Sequence, residues 1–220
     1  MSSKLDMSVM LAFHAVLRRD LEQVARVAGR GDQSAGTRLR VPLGWEQFKK
    51  FLVIHHQAED DLLWPVLLAK VTERPDQVAL VDALEAEHAV IEPLLGAVDA
   101  FAVDPDDGGH LGDIVEELVT QLVGHLDHEE SEGLPLIDAS LDTEEWQRFA
   151  RLHGERLLDD APIYVPWLLD QADKEAVDGF PAKIPPPLVA AYRDQWAPAY
   201  ATLQRWDQND EIVPTSADDT

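Results

Sequence analysis

The chain contains no cysteine and few basic residues. Without cysteine there are no disulfides, thiolate metal ligands, iron–sulfur clusters or cysteine nucleophiles. Only 18 Lys and Arg residues stand against 42 Asp and Glu, which gives a formal charge of −24. So acidic a surface repels nucleic acid and anionic membranes, and we expect neither as a partner, whereas cation binding is compatible with it.

Long hydrophobic runs and targeting patterns are also missing. No uninterrupted apolar stretch approaches the roughly 18 residues that a transmembrane helix needs, and residues 1–6 lack the pattern of a secretory signal. We therefore expect a soluble, cytoplasmic protein; its oligomeric state is unknown from the sequence. Nucleophile motifs, phosphate-binding loops, dinucleotide fingerprints and the zinc-protease HExxH pattern do not occur.

Apolar residues recur every three or four positions in four stretches, which is the spacing of amphipathic helices. The predicted helices span residues 5–28, 45–71, 76–101 and 111–131. Loops are predicted at 29–36 and 104–109, and Asp76 is a candidate N-cap. Because the connections are short, the pattern predicts an all-α fold, an antiparallel up-down four-helix bundle.

Proline marks the helix ends and the C-terminal part of the chain. Pro65 and Pro135, the latter after Gly133, are expected to end or kink their helices, and Pro93 to kink the third. After residue 142 the chain mixes proline with aromatic residues, and helices are predicted at 143–158, 165–173 and 187–206. We expect residues 1–141 to form the bundle, 142–207 a helical extension covering it, and 208–220 a flexible tail.

Two matching stretches, HHQAED at 55–60 and HLDHEE at 125–130, give the strongest indication of function. Each places a histidine four residues before a glutamate that a second acid follows, and each has a proline ten residues after that histidine. Positions i and i+4 on a helix lie about 40° apart, so a pair at this spacing can aim an imidazole and a carboxylate at one point.

The helical face decides which residues of the two stretches point inward. The apolar arc of each helix contains the pair His55 and Glu59 or the pair His125 and Glu129. Each of the other two helices carries one histidine on its apolar face, His14 and His88. His56 falls at the edge of the arc, and Asp60 and Glu130 are expected to point outward.

Buried glutamates without partners would cost several kcal/mol or shift their pKa values. Two of them beside buried histidines call for a pair of divalent or trivalent cations. Nitrogen and oxygen ligands without sulfur suit iron, with manganese or zinc as alternatives. Two carboxylates among six ligands suggest that each bridges both ions, which leaves open positions for water, oxide or a small ligand.

These motifs resemble the hemerythrin-like family, in particular its histidine–histidine–glutamate cation-binding branch. The resemblance covers residues 5–135 and rests on FHAVLRRDL, HHQAEDDLLWP, EAEHAVIEPLL and HLDHEESEGLP. It implies a four-helix bundle around two iron ions joined by an oxo or hydroxo bridge. The implied ligands are His14, His55, Glu59, His88, His125 and Glu129, with Glu59 and Glu129 bridging. The extension after Asp142 resembles one found on some bacterial members.

The sequence departs from the oxygen-carrying hemerythrins, which have five histidine ligands, an HxxxH pair on the third helix and a final HxxxxD. Here Glu92 stands where the second histidine of that pair would be, and the last motif is HxxxE. Reversible oxygen carriage is therefore not implied. Glu92 and His56 remain open as extra ligands, and His110 and His153 are interpreted as surface or locally hydrogen-bonded residues.

Three functions remain open. The protein binds or senses O2, NO or peroxide at a di-iron centre; or it is a di-iron enzyme that decomposes peroxide or oxygenates a substrate; or it is a metal store or structural helical module. Whether it is an enzyme is not decided by the sequence.

Overall fold

The computed structural model describes residues 3–29, 43–103, 110–172 and 174–206, and all regular secondary structure in these ranges is helical. Helix α1 spans Ser8–Ala28. The second bundle helix consists of α2 (Leu43–Ala58) and α3 (Trp64–Val71), the third is α4 (Pro75–Val103), and the fourth consists of α5 (Leu111–His128) and α6 (Leu134–Ser140). The predicted loop at 104–109, nearly all of that at 29–36 and the predicted tail lie outside the described residues.

Two π-helical turns, Glu59–Leu63 and Glu129–Gly133, join the halves of the second and fourth bundle helices. The alternative that the helices end at Pro65 and Pro135 is wrong, and a π turn before each proline interrupts the regular α-helix instead. Each proline lies in the first turn of the segment after the π turn, where its missing N–H is tolerated. The fourth helix therefore continues past Gly133 to Ser140.

The third bundle helix also begins differently from the prediction. It starts at Pro75, a residue well suited to the first helical position, so that Asp76 lies in the first turn and is not the N-cap. The helix continues on both sides of Pro93 to Val103. Among the described residues, no helix is both long and apolar enough to cross a membrane.

The bundle interior has two apolar clusters, one toward each end. One cluster is built around Phe13, Phe48 and Leu122, and the other contains Trp64, Leu67 and Ile137. Along each of the four bundle helices, the residues of one cluster precede the predicted histidine ligand and those of the other follow it, except Phe13 and Leu126, which are directly next to their histidines. The polar residues of the motifs therefore form a layer between the two apolar clusters.

The extension packs on both clusters. Its helices are α7 (Thr143–Arg156), α8 (Ala161–Leu169), α9 (Lys174–Gly179), α10 (Pro186–Ala191) and α11 (Ala197–Tyr200). Asp142 and Glu145 form a reciprocal capping box that begins α7. Trp146 of α7 joins the cluster around Trp64, and Trp167 of α8 joins the cluster around Phe13. The first two helices predicted here form with shifted ends, whereas the third is divided into α10, a π turn at Tyr192–Trp196 and α11.

A buried polar cluster fixes the end of the described extension. The Asp20 carboxylate on α1 accepts a hydrogen bond of 2.7 Å from Trp167 Nε1 and pairs with the guanidinium of Arg205. Arg205 Nε also donates to Gln47 Oε1 at 2.7 Å. The indole of Trp206 lies so close to the backbone of Gly44 that a side chain at position 44 would collide with it.

Candidate metal centre

The six predicted ligands converge in the layer between the two apolar clusters. All six side chains are buried, with at most 2% of any residue exposed to solvent. Their donor atoms fall into groups in which every atom lies within 4.8 Å of the others, and the groups share members. The two glutamates lie at the π turns, since Glu59 and Glu129 are each the first residue of one.

One group consists of His14, His55 and Glu129. Nε2 of His14 lies 3.3 Å from Oε2 of Glu129. Nε2 of His55 lies 3.3 Å from Oε1 of Glu59. Two imidazoles and the Glu129 carboxylate therefore face one point between α1, α2 and the fourth bundle helix, and the Glu59 carboxylate lies beside His55.

The second group consists of three histidines, His56, His88 and His125. The Nε2 atoms of His88 and His125 are 3.2 Å apart. His56 is 1% exposed and lies inside the bundle, so its predicted place at the edge of the face is corrected. A helix in a bundle is covered from more than one side: His56 contacts the α4 and α5 histidines, while His55 contacts Phe13 of α1.

Both glutamates lie between the two groups. Glu59 turns Oε1 to His55 and Oε2 to His88, with 3.6 Å between the latter oxygen and His88 Nε2. Oε2 of Glu129 lies 3.3 Å from His14 Nε2 and 3.9 Å from His125 Nε2. Each carboxylate is thus placed to serve both groups.

The donor set fits a pair of cations. Two ligands about 2.1 Å from one ion and at right angles to each other are about 3.0 Å apart, close to the separations found here. Several donor atoms of the centre are buried and have no hydrogen-bond partner. They are Nε2 of His14, both ring nitrogens of His55 and His56, and both carboxylate oxygens of Glu59 and Glu129. Buried polar atoms are seldom left unpaired, and a cation in each group supplies the missing partner.

A family model described as the hemerythrin HHE cation binding domain matches residues 6–137. The chain belongs to the hemerythrin family. The matched residues contain both histidine groups and both glutamates, and they end before the extension. Cation binding in the bundle therefore follows from the family and from the geometry together. No curated protein and no solved structure matches the chain significantly.

Carboxylates support three of the histidines of the hemerythrin centre from outside. Nδ1 of His14 lies 2.9 Å from Oε1 of Glu130, and Nδ1 of His88 lies 2.8 Å from Oδ1 of Asp60. Nδ1 of His125 lies 2.9 Å from Oε2 of Glu87. A proton held on Nδ1 leaves the Nε2 lone pair free for a metal.

The outward direction expected for Asp60 and Glu130 is only partly right. Both are partly exposed, but each reaches across to a histidine on a neighbouring helix. Glu130 also pairs with Arg18 at 2.6 Å. The signal that could have found them is the repetition of the second acid in both motifs.

The pKa values of the two buried glutamates in the hemerythrin centre are shifted in opposite directions. Burial, together with the charges of Glu129 and Asp60, raises the pKa of Glu59 well above its ordinary value. Burial acts in the same direction on Glu129, but the neighbouring His14 outweighs it and lowers the Glu129 pKa. Burial also holds the pKa values of His55 and His56 well below the ordinary range, so both imidazoles are neutral.

His14 behaves differently from the other histidines. Burial alone lowers its pKa, but Glu129 and Glu130 outweigh burial and raise the pKa to about 9. In the metal-free protein at neutral pH this imidazole is therefore charged and paired with the two carboxylates. It must lose a proton before it binds a cation.

The remaining candidates lie outside the two groups. Glu92 and His110 are exposed, and His128 is partly exposed and lies 2.8 Å from Oε1 of Glu87. His153 is half-buried and does not fit the expected surface or locally hydrogen-bonded role: its Nε2 is buried without a partner, and burial lowers its pKa to about 4. Its ring centroid lies 5.5 Å from that of His55, a neighbour that no spacing in the sequence indicated.

Proposed function

We propose that this hemerythrin-family protein holds two iron ions and binds or senses O2, NO or peroxide at them. The observation that carries the proposal is that Glu59 and Glu129 each lie between the two groups of buried histidines, with carboxylate oxygens 3.3 to 3.9 Å from a histidine Nε2 of each group. The proposed ligands are the six predicted from the sequence together with His56. Nitrogen and oxygen donors without sulfur suit iron, with manganese or zinc as alternatives.

The two groups are unequal. His14 and His55 give one group two imidazoles, and the other group has three. Counting one oxygen from each shared carboxylate, the first ion has four protein donors and the second has five. If each ion takes six ligands, the ion held by His14 and His55 keeps more open positions. A bound iron pair supplies Lewis acidity and one-electron chemistry at that side.

The surroundings favour a small ligand. Phe13 packs against His55 with 4.3 Å between ring centroids, and the apolar clusters on both sides of the layer exclude bulk water. Two cavities of about 390 and 710 Å³ lie along α1 beside the extension, and none of the proposed ligands lines them. A diatomic molecule or peroxide therefore suits this centre better than a large organic substrate does.

The test is metal content together with optical spectra. Protein loaded with Fe(II) without oxygen is expected to hold two iron ions per chain. Exposure to O2 or peroxide is then expected to produce a ligand-to-metal charge-transfer band in the near-ultraviolet or visible region. A His110→Ala variant serves as the control, because His110 is an exposed histidine outside the centre.

Two results would contradict the proposal. One is a chain that takes up no iron under these conditions. The other is a chain that holds two iron ions whose spectrum does not respond to O2, peroxide, azide or NO. Oxygen evolution from peroxide, compared between the loaded wild type and its His125→Ala variant, separates ligand binding from peroxide decomposition.

A further inference from the structure

His153 comes from the extension, beyond the family domain, and yet it lies against the metal centre. It is on α7, after the end of the matched residues 6–137. Its ring is tilted by 45° to that of His55, with 5.5 Å between centroids. The ring of Phe149, one turn earlier on α7, also stacks on the ring of His153, with 5.9 Å between centroids.

The hydrogen bonds of the histidines leave His55 and His56 as exceptions, and of these two only His55 has a ring contact with His153. His14, His88 and His125 each have a carboxylate oxygen within 2.9 Å of Nδ1. The Nδ1 of His55 is buried and has no partner. Because Nε2 of His55 faces Glu59 and the proposed ion, Nδ1 carries the proton and requires an acceptor.

A candidate acceptor is on His153, whose ring lies beside that of His55. Nε2 of His153 is likewise buried without a partner. A neutral imidazole nitrogen offers one lone pair, which matches the single N–H that His55 presents. Two adjacent rings thus leave one donor and one acceptor unpaired, and a direct hydrogen bond or one ordered water would pair them.

We propose that His153 is a positioning residue of the metal centre and accepts a hydrogen bond from Nδ1–H of His55, directly or through one water. This role rests on the proposed function, since it requires His55 to bind a metal through Nε2. Unlike the carboxylates behind the other histidines, His153 orients its ligand without adding negative charge. The extension thereby contributes to the centre itself.

The experiment compares His153→Leu, which removes the acceptor, with His153→Gln, which restores an amide oxygen at similar reach. Phe149→Leu is the matched control, since it disturbs the packing of the same ring on the same helix. Each variant is loaded with Fe(II) under anaerobic conditions, and in parallel with Zn(II). The rate of metal release to an excess of chelator and the melting temperature of the metal-free protein are then measured.

We expect His153→Leu to release one of the two ions about ten- to a hundred-fold faster than the wild type, the usual size of effects from residues behind a ligand. His153→Gln should stay within about three-fold of the wild type. Phe149→Leu should lower the melting temperature of the metal-free protein and leave release unchanged. If His153→Leu does not fold, His153→Phe, which keeps a ring in place, is expected to show the same fast release.

Two outcomes overturn the role of His153. One is that His153→Leu releases metal at the same rate as the wild type. The other is an equal acceleration in His153→Gln and His153→Leu, which would indicate packing alone. A wild type that takes up no metal would instead overturn the proposed function and this role with it, so the two failures are distinguishable.

Discussion

The imidazole of His56 stacks on that of His88, with ring centroids 3.8 Å apart and planes only 7° from parallel. Two charged imidazolium rings would repel each other in this arrangement. Burial, followed by the charge of His88, holds the pKa of His56 well below its ordinary value, so the His56 ring is neutral. A neutral ring beside His88 and His125 is prepared to bind a cation.

The first prediction concerns this third imidazole. In His56→Ala, we expect the iron content to fall from two ions per chain toward one, because His88 and His125 alone hold the second ion weakly. The first group, with His14 and His55, keeps its donors. Metal analysis after anaerobic loading and desalting measures the change, with His110→Ala as the control. A His56→Ala protein that still holds two ions with wild-type affinity would remove His56 from the ligand set.

The sequence was sufficient for the bundle and for the convergence of the six residues. A spacing of three and four residues predicts amphipathic helices, and the i, i+4 pairs fix which side chains share a face. It was not sufficient for His56, because a helical wheel assumes one buried arc, whereas this helix is covered on two sides. Nor does any local spacing indicate that α7 brings His153 to within 5.5 Å of His55.

The π turns were the other feature that the sequence did not reveal. Proline was expected to end or kink a helix at positions 65 and 135, since it removes one hydrogen bond and its ring crowds the preceding turn. The π turns before both prolines absorb this conflict, and they begin at the glutamates that lie between the two groups. In both motifs the proline ten residues after the histidine lies just after a π turn, so this repeat coincides with the turns.

The second prediction tests the carboxylates behind the ligands. Asp60→Asn should weaken metal binding about ten- to a hundred-fold, because the amide supports the imidazole of His88 less well than the carboxylate does. Asp61→Asn is the matched control, since the adjacent Asp61 pairs with Arg156 at the surface. Metal competition with a chromophoric chelator measures both variants. Equal affinities in the two variants would show that the contact between Asp60 and His88 does not support the ligand.

The third prediction concerns the cost of an unpaired carboxylate. Burial raises the pKa of Glu59, so its folded form binds a proton more tightly than the unfolded chain does. The ionised form therefore costs stability as pH rises above the ordinary value of 4.5. We expect Glu59→Gln to stabilise the metal-free protein at pH 7 by about 1 kcal/mol while it impairs metal binding.

Denaturant unfolding of the metal-free protein at several pH values measures this effect. The gain should shrink as the solution is brought down toward pH 4.5, where the unfolded chain is also protonated. Glu85→Gln, on an exposed face of α4, should leave both stability and metal content unchanged. A metal-free Glu59→Gln protein that is less stable than the wild type at pH 7 would contradict the prediction.

The fourth prediction is that metal uptake releases protons. The pKa of His14 is raised to about 9 by Glu129 and Glu130 against the effect of burial, so the metal-free imidazole carries a proton at pH 7. Binding through Nε2, with the Nδ1 proton kept toward Glu130, displaces that charge. We expect at least one proton per chain to be released at pH 7, and metal to be lost as pH falls through about 5 to 6.

A pH indicator in weakly buffered solution, titrated with Zn(II) to avoid redox chemistry, counts these protons. Glu130→Gln should release fewer, because one of the two carboxylates that keep His14 charged has been neutralised. Uptake of two ions at pH 7 with no proton released would show that His14 is already neutral. Full occupancy at pH 4 would contradict histidine ligation altogether.

The last prediction concerns the buried pair that ties the extension to the bundle. Arg205 and Asp20 are both buried, at 7% and 0% exposure, and Trp167 and Arg19 also bond the same carboxylate. Arg205→Leu leaves that carboxylate with fewer partners inside the protein, and breaking a buried ion pair typically costs about 3 kcal/mol or more. Arg193→Leu, which removes an exposed pair with Asp194, should leave stability nearly unchanged.

Chemical denaturation of the metal-free variants gives both values. The Asp20→Asn, Arg205→Leu double variant supplies the decisive comparison, because the amide no longer leaves a charge uncompensated. It should recover part of the stability that Arg205→Leu loses. The contrary result is that the effects of Asp20→Asn and Arg205→Leu simply add in the double variant. The two residues would then act independently, and the extension would be held by its apolar contacts alone.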